Sequence, residues 1–209
     1  MLIPESEVIH ILRSFGLTVN GVLHIGAHEC EEMQFYKNLG VSANNMIWID
    51  AIQTKVDEAK NRNIPNVFQA VVTNKDDDDV VFHITNNAQS SSVLDFGSHA
   101  RHHPHVHFIQ DVHLKTVTID SFMSRNSFNP SKYDFWNFDI QGAELMALHG
   151  ARKALEFPKA IYLEVNTEEV YKGCGRLSEI DTFLGAYNFI RVKTQMTEFG
   201  WGDALYVKK

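Results

Sequence analysis

Two acids at the ends of apolar runs are the best candidates for chemistry. In Asn137-Phe138-Asp139-Ile140-Gln141-Gly142-Ala143-Glu144, a strand-like run closes on Asp139, a glycine turns the chain, and Glu144 falls in the first turn of a helix. Ile161-Tyr162-Leu163-Glu164-Val165-Asn166 brings Glu164 and Asn166 to the same edge of a sheet. Carboxylates at adjacent strand ends can orient a hydroxyl, take its proton, or hold a divalent metal together with Asn166. Glu144 reads instead as compensation of the helix dipole or as a buried hydrogen-bond anchor. A third acid, Asp50, ends Met46-Ile47-Trp48-Ile49-Asp50, 24 residues after Gly26. At that place a carboxylate can accept both hydrogen bonds of a ribose diol. The turn Ile25-Gly26-Ala27-His28-Glu29-Cys30 lets a nucleoside approach the backbone, but it is not a GxGxxG cradle. Glu29, Glu31 and Glu32 would repel a pyrophosphate there, so a neutral or cationic ligand is expected.

Other polar clusters carry less. His99, His102, His103, His105 and His107 crowd an irregular stretch, with His113 beyond. No cysteine or well-spaced carboxylate completes a metal site, so this reads as a solvated, pH-sensitive loop. Asp76 to Asp79 reads as a solvated turn, and Cys30 lacks a partner for nucleophilic catalysis.

The elements that must position these residues alternate between strand-length apolar runs and helical periodicity. Gly21–Ile25, Met46–Asp50 and Val67–Val72 are expected as strands, separated by helices over 29–39 and 53–63. This βαβαβ pattern implies a parallel sheet covered on both faces. Residues 86–111 are expected to form a loop or insertion, between strands over 80–85 and 112–119. The rhythm resumes with a short helix over 120–125, a strand to Ile140, a helix over 143–156 and a strand over 160–165. Leu177, Ile180 and Leu184 mark another helix. Asn188–Val192 and Ala204–Val207 then form a hairpin closing the sheet. The expectation is one domain over 1–209 with an N-terminal helix within 1–20.

Composition narrows the partners. The 209 residues are 44% hydrophobic and 22% charged, with a net charge of -7. That balance disfavours nucleic acid or an anionic membrane, which need a basic face. No apolar run is long enough to span a bilayer, two cysteines make no disulfide framework, and a cytoplasmic protein is expected.

The chain resembles the FkbM family of S-adenosylmethionine-dependent methyltransferases over roughly residues 20–208. The resemblance rests on Phe138-Asp139-Ile140-Gln141-Gly142-Ala143-Glu144, followed by Leu148 and Gly150-Ala151, against the family's D-[VI]-[EQ]-G-x-E and L-x-G-A. The opening motif D-[VI]-G-A-[NH]-x-G stands here as His24-Ile25-Gly26-Ala27-His28-Glu29-Cys30, with His24 replacing the acid and Cys30 the second glycine. Ser90-Ser91-Ser92 and the strand bearing Glu164 also resemble family features.

The resemblance implies an α/β, Rossmann-like class I fold: a seven-stranded, mostly parallel sheet with a C-terminal antiparallel hairpin. It implies an enzyme using S-adenosylmethionine, held by Gly26, Ala27, His28, Glu29, Asp50, Ala51, Ala70, Val71, Asp139 and Ile140. Asp139 and Glu164 are expected to be catalytic. Ser90, Ser91, Ser92, Gln141, Glu164 and Asn166 are expected to contact the acceptor. That acceptor is expected to be a sugar hydroxyl of a glycan or glycoconjugate, with Trp201 a candidate for stacking on it and Trp136 for packing. The domain would suit a place in a larger glycan-modifying enzyme. The alternatives are a non-sugar acceptor, a variant with Mg²⁺ on Asp139, Glu164 and Asn166, a nicotinamide-dependent oxidoreductase, or a non-catalytic nucleoside-binding module.

Overall fold

The computed structural model describes all 209 residues. In chain order its first elements are α1 (Glu5–Ser14), β1 (Val22–Ile25), α2 (Met33–Asn38), β2 (Met46–Asp50), α3 (Gln53–Asn61) and β3 (Val67–Gln69). The middle contains β4 (Val71–Val72), β5 (Asp79–Thr85), α4 (His99–His102), β6 (Phe108–Val117) and α5 (Ile119–Arg125). The last part comprises β7 (Phe135–Phe138), α6 (Glu144–His149), β8 (Ala160–Asn166), α7 (Leu177–Gly185), β9 (Phe189–Met196) and β10 (Trp201–Lys208). The main sheet has seven strands in the order β3-β2-β1-β7-β8-β10-β9. Every pair up to β8 is parallel, and β10 runs antiparallel to both its neighbours.

Side chains alternate across this sheet and build a core on each face. Leu23, Ile25, Ile47, Ile49, Trp136 and Phe138 pack with α5, α6 and α7 through Phe122, Leu148 and Ile180. Val22, Met46, Trp48, Phe135 and Tyr162 face the other way, against Leu12, Phe35, Tyr36 and Val56 of α1, α2 and α3. The central strands are buried on both faces, which is why they read as continuous apolar runs.

Several expected boundaries move, each for a local reason. The run 67–72 divides at Ala70, whose N–H bonds to the Asp50 carbonyl; β4 then leaves for a second sheet ordered β4-β6-β5. The expected helix 29–39 contracts to α2 because His28 and Cys30 adopt positive φ, 40° and 56°. The expected helix 143–156 stops at His149. Gly150 lies so close to Thr73 that a Cβ would sit 2.2 Å from its carbonyl oxygen, and a 3-10 turn at Ala154–Glu156 follows. The stretch 86–111 contains α4, and β6 begins at Phe108 rather than Val112, pairing Thr85 with Phe108. The aspartate run is more than a solvated turn. Asp76 accepts hydrogen bonds from Thr118 and Ser121 at the start of α5, and Asp77 pairs with Arg125 at 3.0 Å. No helix is long and apolar enough to cross a membrane.

Below the sheet, buried Asp134 ties three segments together. Its carboxylate accepts from the Asn20 backbone at 2.8 Å, the Asn20 amide at 2.6 Å and the Lys159 ammonium at 2.8 Å. Burial pushes this carboxyl up, but Lys159 and Asn20 outweigh it and hold it below the usual range. Such a group stabilises the fold above the ordinary carboxylate pKa and loses that contribution as pH falls through its lowered value. D134A is expected to cost about 2–3 kcal/mol at neutral pH. Thermal melts should show the gap between wild type and variant closing below about pH 4.

Candidate active site

The site is built at the carboxyl ends of β1, β2, β3 and β7, where β1 and β7 are pinned together. Gly26 and Ala27 both donate to the Ile49 carbonyl, and Asp139 donates its N–H to Ile25 at 2.9 Å. Gly26 has φ 89°, and a Cβ there would lie 1.8 Å from the Asp139 carbonyl oxygen. Only glycine fits both constraints. Cys30, which stands at the family's second glycine, also occupies the left-handed region, and its side chain is buried in the second core. Burial pushes its thiol up to about 12, so it is not a nucleophile at neutral pH.

Asp50 faces a cavity of about 540 Å³ that also reaches Asp139 and Glu164. Its carboxylate accepts from the His28 N–H at 2.7 Å and the Ile52 N–H at 2.8 Å, which orients it and leaves a lone pair on each oxygen. Burial pushes the carboxyl up and these donors oppose that. Ala51, Ile52, Ala70, Val71 and Phe82 form an apolar slot beside it.

The second acid group is assembled by the strained turn after β7, where Gln141 (φ 54°) and Gly142 (φ 95°) are both left-handed. Glu144 braces the turn, accepting from Ile140 N–H at 3.0 Å and Gly142 N–H at 3.2 Å. Its carboxyl, fully enclosed, is pushed up to about 8 by burial, and its role is that of anchor. The Gln141 side-chain amide then donates to Asp139 at 2.6 Å and to Glu164 at 2.8 Å. Its carbonyl accepts from the Tyr171 hydroxyl at 2.7 Å, which fixes the amide's orientation. The protein mass around Asp139, and then the Asp203 carboxylate, push its carboxyl up to about 6, although the side chain is open to the cavity. Burial, and then Asp139, push Glu164 well above the carboxylate range. The pair therefore retains a proton to higher pH than isolated acids do.

The cavity gathers most of the expected site residues. Gly26, His28, Asp50, Ala51, Ala70 and Val71 lie on one side. Asp139, Ile140, Gln141 and Glu164 lie on the other, and Ser90 and Ser91 are also on its wall. Four residues lie elsewhere. Ala27 packs in the second core, and Glu29 sits on the surface, paired with Lys55 at 2.8 Å. Ser92 is fully buried and donates to the Gln141 carbonyl at 2.9 Å, so it supports the turn. Asn166 is sealed off with no partner for its amide. The set Asp139, Glu164 and Asn166 is thus not brought together as metal ligands; Gln141 occupies the space between the two acids. No group of three His, Cys, Asp or Glu side chains is arranged to hold a metal ion.

His24 also turns away from the cavity, since its side chain falls on the opposite register. It bonds to Tyr36 at 3.0 Å, and burial pushes its imidazole down to about 4. Trp136 is core, donating to the Tyr133 carbonyl, while Trp201 lines the cavity. Sequence reasoning missed Asp203 and Tyr171. Asp203 sits opposite Glu164 in the β8–β10 register and accepts from the Tyr162 hydroxyl and the Leu2 N–H. Only the hairpin register, invisible in the sequence, places it there.

The strand order, the reversed final strand and an acid-lined cleft at the carboxyl ends together define a class I S-adenosylmethionine-dependent methyltransferase architecture. Residues 23–191 match the model of the methyltransferase FkbM domain, and the chain belongs to that family. Among solved structures, an O-methyltransferase from Bacillus cereus in complex with SAH is 12% identical, with a TM-score of 0.49. The alignment covers 100% of this chain and 94% of that one. Magnesium protoporphyrin IX methyltransferase from Synechocystis, with bound SAM, is 12% identical with a TM-score of 0.49, covering 98% of this chain and 78% of that one. No curated protein matches the sequence significantly.

The family's cofactor is S-adenosylmethionine, and the residues present fit it. Asp50, with its carboxylate oriented by two backbone N–H groups, would accept from ribose hydroxyls beside an apolar slot that would take the base, and the acidic lining suits a sulfonium.

Proposed function

We propose that this protein is an O-methyltransferase acting on a sugar hydroxyl of a glycan or glycoconjugate. One observation carries the reading: Asp139 and Glu164, bridged by a single amide, share a cavity with Asp50. Gly26, His28, Asp50, Ala51, Ala70, Val71 and Ile140 would hold the cofactor, which supplies an activated methyl group. The protein's remaining task is to align the acceptor oxygen and remove its proton. Asp139, ionised above about pH 6, accepts the hydroxyl's hydrogen bond and then its proton. Glu164, biased toward its protonated form, can donate to a neighbouring hydroxyl. Gln141 keeps the two acids at fixed separation, and Ser90, Ser91 and Trp201 complete the acceptor's surroundings. Incubation with methyl-labelled S-adenosylmethionine and a panel of glycans should give oligosaccharides heavier by one methyl, located on oxygen by linkage analysis. Transfer to nitrogen or carbon, or to no glycan, would defeat the proposal.

A further inference from the structure

We propose that the acceptor half of the cavity is a subsite for an uncharged glycoside, walled by His99 and closed to sugars that carry a phosphate or carboxylate. This deepens the O-methyltransferase reading and rests on it. No lysine or arginine side chain lines the cavity, whereas Glu32, Asp50, Asp139 and Asp203 all do, beside a Glu164 biased toward its protonated form. The imidazole whose charged form is favoured, His28, is already paired with Glu31 at 2.8 Å. The Met1 ammonium on the lining is already set against Asp139 and Glu32, where it counters the upward push of burial on their carboxyls. An anionic acceptor would still meet an excess of carboxylate, which disfavours binding about tenfold or more.

His99 supplies a polar wall to this part of the cavity. It lines the cavity while only 6% exposed, and its Nδ1 is a sealed polar atom with no partner. Its ring stacks on Phe96 at 4.3 Å and packs near Tyr171 at 5.4 Å, so the imidazole is held in place. Burial, and then His103 and His105, push it down to about 4, so it is a neutral donor–acceptor at neutral pH. A buried polar ring beside aromatic surface suits a sugar's mixed apolar and hydroxylated faces.

The exclusion sets the order of reactions. Sugars activated as nucleoside diphosphates carry the anions this cavity rejects. Glycosyl transfer, which releases that diphosphate, must therefore come before methylation.

The test uses the protein saturated with S-adenosylhomocysteine and ligand-observed NMR titrations. The ligands are methyl β-D-glucopyranoside against its uronate, and catechol against its carboxylate derivative, protocatechuate. The glycoside should bind about tenfold or more tighter than the uronate. H99F, which keeps the stacking ring, should weaken the glycoside about tenfold while moving S-adenosylhomocysteine affinity less than about twofold. Equal or tighter binding of the uronate overturns the inference, as does undiminished glycoside binding by H99F. If only the catechol pair binds, the sugar reading fails, and the preference within that pair decides the charge exclusion. If neither pair binds, there is no acceptor subsite and the inference falls.

Discussion

Replacing Asp139 with asparagine is expected to lower kcat/KM for methyl transfer by about 10²–10⁴-fold, the range for losing a general base. The substitution keeps an oxygen that can accept from Gln141, so the amide bridge survives. A pH profile gives the sharper test. In its proposed role Asp139 acts as the ionised carboxylate, so the wild-type rate should fall as pH drops through about 6. In D139N that limb should vanish. Stability should move the other way. Removing one of two carboxylates that repel each other relieves Glu164, so D139N should melt no lower than wild type. A variant that retains both the rate and the acid limb would remove Asp139 from its assigned role.

The second large effect is expected at Gly26. A methyl group there meets the Asp139 carbonyl at 1.8 Å, and the 2.9 Å bond between Asp139 and Ile25 leaves the strands no room to part. The positive φ adds backbone strain. G26A should cost about 3–5 kcal/mol of stability. It should also weaken S-adenosylhomocysteine binding, because the turn carries His28 onto Asp50. Gly40 provides the control, having φ 91° but nothing within 4 Å of an added Cβ. G40A should therefore lose only about 1 kcal/mol, with cofactor affinity unchanged. Denaturant titration and calorimetry on both variants separate crowding from strain. Equal effects at the two sites would refute the pinning of β1 to β7.

The parallel strands were legible because burial on both faces leaves unbroken apolar runs such as Met46–Ile49. The acids at their ends followed, since Asp50 and Asp139 close those runs. Other features depend on long-range contacts. Nothing near Ala70 announces that the chain changes sheets there; the Asp50 carbonyl decides it. Ser92 and Asn166 carry polar groups that suit a ligand, yet the fold seals both away. Gln141, read as an acceptor contact, spends its side chain holding the two acids and Tyr171. Asp203 reaches the site through strand register alone.

The second sheet has a consequence for how the enzyme could diversify. The β5–β6 hairpin leaves the seven-stranded sheet at Ala70, and residues 86–107 hang from its tip, closed by paired bonds between His83 and Ser92 and by Asn86 to His107. Ser90, Ser91, His99, His103 and His105 all lie on this segment, while Asp50 and Asp139 stay with the main sheet. The segment is bonded back to that scaffold, by Ser92 to the Gln141 backbone and by Gly97, Ser98 and His99 to Glu169 and Val170. Exchanging the segment between relatives should therefore change acceptor preference cleanly only when the stretch around Gln141 and Glu169–Val170 that receives those bonds travels with it.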